Sequence, residues 1–168
     1  MSERSITVGI LMGSSSDLDA MRAAGQVLAD LGISHELRIM SAHRTPDVVD
    51  EYVTSAPDRG TQVLICAAGM AAHLAGAVAG RTQLPVIGVP LGASMMGVDA
   101  LLATVQMPPG VPVATVAIGR AGAKNAAWLA ARILALSDSD LRGRLHAAVD
   151  GMADKVKKAD SELVAEQQ

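Results

Sequence analysis

Short runs rich in β-branched residues alternate with longer alanine-rich stretches along most of this chain, and few folds accommodate that alternation. Residues 6–12, 35–40, 62–67, 86–89 and 112–118 read as strands. The segments between and after them read as helices: 18–31, 46–55, 72–82, a fourth starting near Gly97 or Val98, and 125–136. Gly32 supplies a C-terminal cap for the first helix. Thr45 can cap the second, with Pro46 at its first position, where a missing amide hydrogen costs nothing. Residues 86–89 are almost wholly apolar, as expected of a strand covered on both faces. From Asp138 onward the chain reads as a last helix that becomes charged and frayed, with Lys155, Lys157, Lys158 and Glu162 on a solvated face.

Parallel strands joined by right-handed crossovers predict a three-layer α/β/α sandwich around a central parallel sheet, flavodoxin-like or Rossmann-like, plus a C-terminal helix. A length of 168 residues fits one domain, with a core over about 6–136 and a helical extension over about 138–160.

Half of the chain is hydrophobic, yet it contains no phenylalanine, and Tyr52 and Trp128 are its only aromatic residues. The core must therefore be filled by Ala, Val, Leu, Ile and Met. Each small side chain contributes little buried area, which predicts further burial between subunits, and so an oligomer. The net charge of -3 and the lack of a Lys/Arg stripe argue against a nucleic-acid surface. Cys66, inside the apolar run 63–68, reads as a buried strand thiol; one cysteine provides neither a disulfide framework nor a zinc site, which fits a reducing cytoplasm. The residues Met1-Ser2-Glu3-Arg4-Ser5 lead toward a strand without the apolar core of a signal peptide. No stretch has the unbroken apolar length needed to cross a bilayer.

In such folds ligands collect beyond the carboxyl ends of the strands. The loops after strands one, two and three, residues 13–17, 41–45 and 68–73, hold most of the small, polar and ionisable loop residues, which predicts a single pocket. The first, Gly13-Ser14-Ser15-Ser16-Asp17, offers a tight turn, three hydroxyls and a helix N-terminus that favours an anion such as phosphate. Ser16 or Asp17 acting simply as a helix cap is the plainer reading. The loop is neither a Walker loop nor a three-glycine dinucleotide fingerprint. In the second loop Arg44 can grip a phosphate with two donors, and His43 brings a side chain able to take and give a proton near neutral pH. His73, in the third loop, is either a second site residue or a hydrogen-bonding group at a helix start. His35 and His146 read as unrelated to chemistry.

With these motifs in order, the chain resembles the class I N5-carboxyaminoimidazole ribonucleotide mutases of purine biosynthesis, the PurE family. The likeness runs from about Val8 to Leu136. It is carried by Met12-Gly13-Ser14-Ser15-Ser16-Asp17, Ser41-Ala42-His43-Arg44-Thr45-Pro46, Ala71-Ala72-His73-Leu74, Gly88-Val89-Pro90, Val105-Gln106-Met107-Pro108 and the stretch 110–119. The resemblance implies conversion of N5-carboxyaminoimidazole ribonucleotide to 4-carboxy-5-aminoimidazole ribonucleotide by an isomerase that uses no ATP, metal or organic cofactor. It implies His43 as the acid/base. Ser14, Ser16, Asp17, Ser41 and Arg44 would meet the nucleotide, with Arg44 on the phosphate. Ala68, Gly69, Ala71 and Ala72 would wall a carbon dioxide cage bordered by His73. It further implies a homo-octamer and functional coupling to the synthetase that makes the carbamate; Leu141, Leu145, Val149 and Met152, at helical spacing, are expected to form the apolar face that the last helix lays on a neighbour. Many relatives carry Gly-Gly where Gly69-Met70 stands, and a proline where Ala75 stands.

Three alternatives lose ground on particular residues. A carboxylase using carbon dioxide directly would typically have Lys-Gly in place of Arg44-Thr45 and a serine in place of His73. A flavin-binding electron carrier would place an aromatic residue in a strand-end loop. A phosphoacceptor module would need acidic residues where Met12-Gly13 and Ala67-Ala68 stand.

Overall fold

The structure, a computed structural model, describes residues 6–93 and 95–167. The lead-in formed by residues 1–5 lies outside the described residues. Five parallel strands, β1 (Val8–Met12), β2 (His35–Ile39), β3 (Val63–Gly69), β4 (Val86–Leu91) and β5 (Ala114–Thr115), form one sheet in the order β2-β1-β3-β4-β5. This is the flavodoxin-like strand order, and it reverses direction at β1. In register, Met12 stands beside Ile39 on one side and Ala67 on the other, so β1 and β2 end at one level while β3 runs two residues further, to Gly69.

Helices cover both faces of the sheet: α1 (Leu18–Asp30), α2 (Pro46–Ser55), α3 (Leu74–Ala79), α4 (Val98–Val105), α5 (Gly119–Leu134) and α6 (Ser139–Glu166). On one face Val8, Ile10, Met12, Ile65, Ile87 and Val89 meet α1, α5 and the start of α6. On the other, Leu11, Leu64 and Cys66 meet Val49, Tyr52 and Val53 of α2 and Leu74, Ala75 and Val78 of α3. Ala123, Ala126, Ala127, Ala130 and Ala131 of α5 are all fully buried, and their short side chains bring that helix close to α1 and the sheet. Burial drives the Cys66 thiol pKa well up, so it packs as an apolar side chain. Tyr52 is also buried; its hydroxyl donates to Glu36 (2.8 Å), and the Arg59 guanidinium lies 4.1 Å from the centre of its ring.

β3 and β4 each run two residues past their expected ends, and four further elements depart from the sequence reading for identifiable reasons. β5 has two residues rather than seven, and Pro90 accounts for its early end. The Val116 amide donates to the Gly88 carbonyl (3.0 Å), and the next rung on that side of β4 would need an N–H at position 90, which proline lacks. α3 starts at Leu74 rather than Ala72, because Ala72 adopts φ 44°, outside the right-handed helical range. α5 begins at Gly119, six residues earlier than expected, because Gly122 serves close packing and does not interrupt the helix. A Cβ on Gly122 would overlap the Ala117 carbonyl. α6 is one continuous helix of 28 residues, roughly 42 Å long, capped by Asp138, whose carboxylate accepts from the Leu141 amide (2.9 Å). Leu141 and Leu145 are buried in this chain's own core, so they are unavailable to a neighbouring copy, whereas Val149 and Met152 remain half-exposed.

The two kinds of glycine make opposite predictions. Gly122→Ala would force a methyl group into backbone that cannot yield, costing about 3 kcal/mol or more. Gly143→Ala, in the second turn of α6, meets no atom within 4 Å and should gain about 0.5–1 kcal/mol. Urea unfolding of the two variants beside the parent should place their midpoints on opposite sides of it.

Candidate functional site

The first loop leaves β1 at Gly13 and winds into a single 3-10 turn, Ser15–Asp17, that leads directly into α1. Ser14 caps that turn: the Ser16 amide donates to Ser14 Oγ (3.3 Å), while the Ser14 amide donates to Asp17 Oδ2 (3.0 Å). The cap is therefore Ser14, with Asp17 closing the reciprocal half of a capping box. The Ser16 hydroxyl lies within reach of Ser14 Oγ (2.9 Å) and Asp17 Oδ1 (3.3 Å), and with one proton it donates to one of them at a time. Partial burial raises the Asp17 carboxyl pKa, opposed by the bonds from the Ser14 amide and the Ser16 hydroxyl.

The second loop closes on itself. Thr45 stands at the cap position of α2 with Pro46 behind it, but its hydroxyl does not cap the helix. It turns back instead, accepting from the Ser41 amide (2.9 Å) and donating to the Ser41 carbonyl (3.2 Å). Ser41 Oγ in turn accepts from the Arg44 amide (3.2 Å). Held in this way, Arg44 reaches across to the first loop, where Nη2 donates to the Gly13 carbonyl (3.1 Å). Arg44 is otherwise exposed, and it lines the same cleft as Ser14.

The third loop follows β3. Gly69 packs so closely under the next strand end that a Cβ there would lie 3.2 Å from the Leu91 carbonyl oxygen and 3.5 Å from Ala93 Cβ. Met70 (φ 56°) and Ala72 (φ 44°) then take left-handed backbone, tied by the Ala72 amide donating to the Gly69 carbonyl (3.0 Å). Each such residue costs about 1–2 kcal/mol, so the surrounding packing must impose the shape. His73 occupies the cap position of α3 and makes no side-chain cap bond. Its Nδ1 lies 2.7 Å from Nε2 of His43, with the rings edge to face at 84° and 4.8 Å between centroids. One of these two nitrogens must carry the shared proton and the other must lack it. Two imidazolium rings would break the contact, so while it persists the pair holds at most one positive charge.

These loops line one open cleft of about 590 Å³, a size suited to a nucleotide. Ser14, Ser16, Asp17, Ser41, His43, Arg44, Ala68, Gly69, Ala71 and His73 all lie on its wall. Ala93, from the loop after β4, lies there too and was missed by the sequence reading. The small residues following that strand end were the available signal. His35, bonded through Nδ1 to the Ile33 carbonyl (3.0 Å), and His146, on α6, lie elsewhere. A larger cleft of about 690 Å³ opens at the beginning of β4. Its only ionisable side chain is Arg81, which is paired with Asp50 (2.7 Å). Among the described residues no group of three or more His, Cys, Asp or Glu side chains could hold a metal ion. No helix among them is long and apolar enough to cross a membrane.

A flavodoxin-like α/β domain whose cleft sits at the β1/β3 switch point, with an exposed guanidinium and a hydrogen-bonded imidazole pair, defines an enzyme-type site for a small anionic substrate. Residues 7–155 match the AIR carboxylase family model. The chain is 48% identical over 158 residues to the N5-carboxyaminoimidazole ribonucleotide mutase of Bacillus subtilis, covering 94% of this chain and 98% of that one. It is 52% identical over 157 residues to the Mycobacterium leprae protein of the same name, covering 93% and 91%. The crystal structure of Treponema denticola PurE superposes with a TM-score of 0.84 at 34% identity, covering 94% of this chain and 98% of that one. The chain belongs to the AIR carboxylase family.

The raised Asp17 pKa sets a sign. A carboxyl whose folded-state pKa lies above its unfolded value lends stability at low pH and loses it as pH rises through the folded value. Asp17→Asn, which keeps an acceptor for the Ser14 amide, should therefore melt at or above the parent temperature at pH 7. That advantage should disappear below about pH 3.9, the ordinary aspartate value. Melting curves from pH 3 to 8 check this; an Asn variant less stable at neutral pH would contradict it.

Proposed function

We propose that the chain is an N5-carboxyaminoimidazole ribonucleotide mutase, moving a carboxylate from the exocyclic nitrogen of its substrate to the adjacent ring carbon. The observation that carries the proposal is the His43–His73 contact at 2.7 Å, beside Arg44, in a cleft of nucleotide size. The reading is supported by relatives about half identical along nearly their whole length and named for this activity.

The chemistry suits these residues. Loss of carbon dioxide from the carbamate needs a proton delivered to the departing nitrogen. Attack of the electron-rich ring carbon on that carbon dioxide leaves a proton to be removed. One imidazole serves both steps, giving the proton in the first and recovering it in the second, so no net proton and no electron is exchanged with solvent. In this proposal His43 is that group. The bond to His73 holds the ring and limits the charge on the pair. Arg44, anchored on the Gly13 carbonyl, offers its free donors to the phosphate, where the Ser14 cap and the start of α1 also favour negative charge. Ser16, Asp17 and Ser41 face the ribose and phosphate, while Ala68, Gly69, Ala71 and Ala72 wall the space for carbon dioxide, with His73 at its border. The reaction so written needs no cofactor or metal.

The same reading carries a cytoplasmic setting, a homo-octamer, and supply of the labile carbamate by the synthetase that makes it. A stripe of exposed apolar residues along α6, Val149, Met152, Val156 and Leu163, supports association of copies. With Leu141 and Leu145 committed to the core, the stripe beyond them is the part a neighbour would cover.

Purified protein is given either the carbamate or aminoimidazole ribonucleotide with bicarbonate. Faster product from the carbamate is expected, and preference for bicarbonate would make the chain a direct carboxylase. His43→Asn should lower kcat by about 10²–10⁴-fold while nucleotide binding persists. Arg44→Ala should act mainly through KM, raising it by roughly tenfold or more, the size of one charge-assisted phosphate contact. Sedimentation of a Val156→Glu, Leu163→Glu double variant should show a smaller assembly than the parent.

A further inference from the structure

The cleft is least covered where its chemistry most needs cover, since the His43–His73 contact is exposed and most of the wall of the third loop is alanine and glycine. Among the described residues, only two long apolar side chains line the cleft: Leu74, which is buried, and Met70, which is 63% exposed. Met70 sits on left-handed backbone with φ 56°, where glycine would be at ease and an L side chain is strained. The loop's neighbours set that shape, through the close packing of Gly69 against Leu91 and Ala93 and the Ala72 amide bond to the Gly69 carbonyl. The result is a flexible, unbranched thioether held at the mouth of a polar site.

We propose that Met70 is a retention residue: its side chain closes over the occupied cleft, excludes water, and holds released carbon dioxide beside the ring carbon. The proposal rests on the mutase reading. Between breaking of the nitrogen–carbon bond and formation of the carbon–carbon bond, carbon dioxide is free in the cleft. Either the ring carbon's electron pair captures it and the ring proton passes to His43, or it leaves through the mouth and hydrates to bicarbonate, abandoning aminoimidazole ribonucleotide. A cover changes the ratio of these fates without taking part in either. Three rotatable bonds allow methionine to swing aside for entry and to pack over ligands of uneven shape.

The test supplies the parent, Met70→Gly and Met70→Leu with carbamate carrying a ¹³C label in its carboxylate, and subtracts the loss measured without enzyme. For each, the ratio of abandoned aminoimidazole ribonucleotide to carboxylated product is measured, together with the label retained in product when unlabelled bicarbonate is present. Met70→Gly should raise the abandoned fraction several-fold and lower label retention, with parental assembly size and a melting midpoint at or above the parent's. Met70→Leu should stay close to the parent. A glycine variant with the parental ratio overturns the proposal, as does one whose assembly size changes, which would assign the side chain to contact between copies. A parent that forms no product from the carbamate overturns the mutase reading, and retention with it. An active parent with an unaffected glycine variant overturns retention alone.

Discussion

The position of β1 between β2 and β3 is the constraint on which the site depends. The chain leaves β1 toward one edge of the sheet to form β2, then crosses back to form β3 on the other side, so its connections diverge at the carboxyl end of β1. Because Met12 is level with both Ile39 and Ala67, three loops far apart in sequence emerge together. The Arg44–Gly13 and His43–His73 contacts, which join different loops, depend on this register, and a one-residue slip would also turn Ile10 and Met12 away from the core face they share with α1 and α5. Packing and function are thus imposed by the same alignment.

The loops achieve their shapes in different ways. The first and second are closed by their own side chains: Ser14 with Asp17, and Thr45 with Ser41. These hydroxyls and the carboxylate satisfy backbone groups of the loops from within. The third has no such side-chain closure, and it holds two residues in left-handed backbone because Gly69 is wedged beneath the end of β4. Of these three loops, strain therefore concentrates in the one that borders the His43–His73 pair, while the two proposed to meet phosphate and ribose are relaxed and held by their own hydrogen bonds.

Much of this arrangement was legible in the residues because it follows from local rules. Pro46 behind Thr45, Gly32 after α1, and the apolar run of β4 mark element ends and burial without reference to the rest of the chain. What escaped was long-range. That β5 stops after two residues depends on a proline in the neighbouring strand, and the early start of α5 depends on a glycine facing the Ala117 carbonyl. The Thr45 hydroxyl looked like a helix cap because sequence shows its place but not the competing Ser41 groups four residues back. At the site, the loops were legible from the rule about strand ends, whereas Ala93 and the His43–His73 contact required the order of strands in the sheet.

The Arg44–Gly13 bond shows how a cleft this open can still be preorganised. A free arginine side chain carries about 2 kcal/mol of rotamer entropy, which, in the phosphate-binding role proposed for Arg44, the substrate would otherwise have to overcome. Anchoring one nitrogen on a backbone carbonyl removes part of that cost before the substrate arrives, yet leaves donors free because a guanidinium has five N–H groups. Lysine would divide its roles less well, since its ammonium gathers three donors on one atom whereas the guanidinium spreads five over three. The same reasoning applies across the cleft, where His73 holds one nitrogen of His43 and leaves the other face of that ring open. Both groups are thus fixed through one atom and available through another, so binding energy need not be spent on assembling the site.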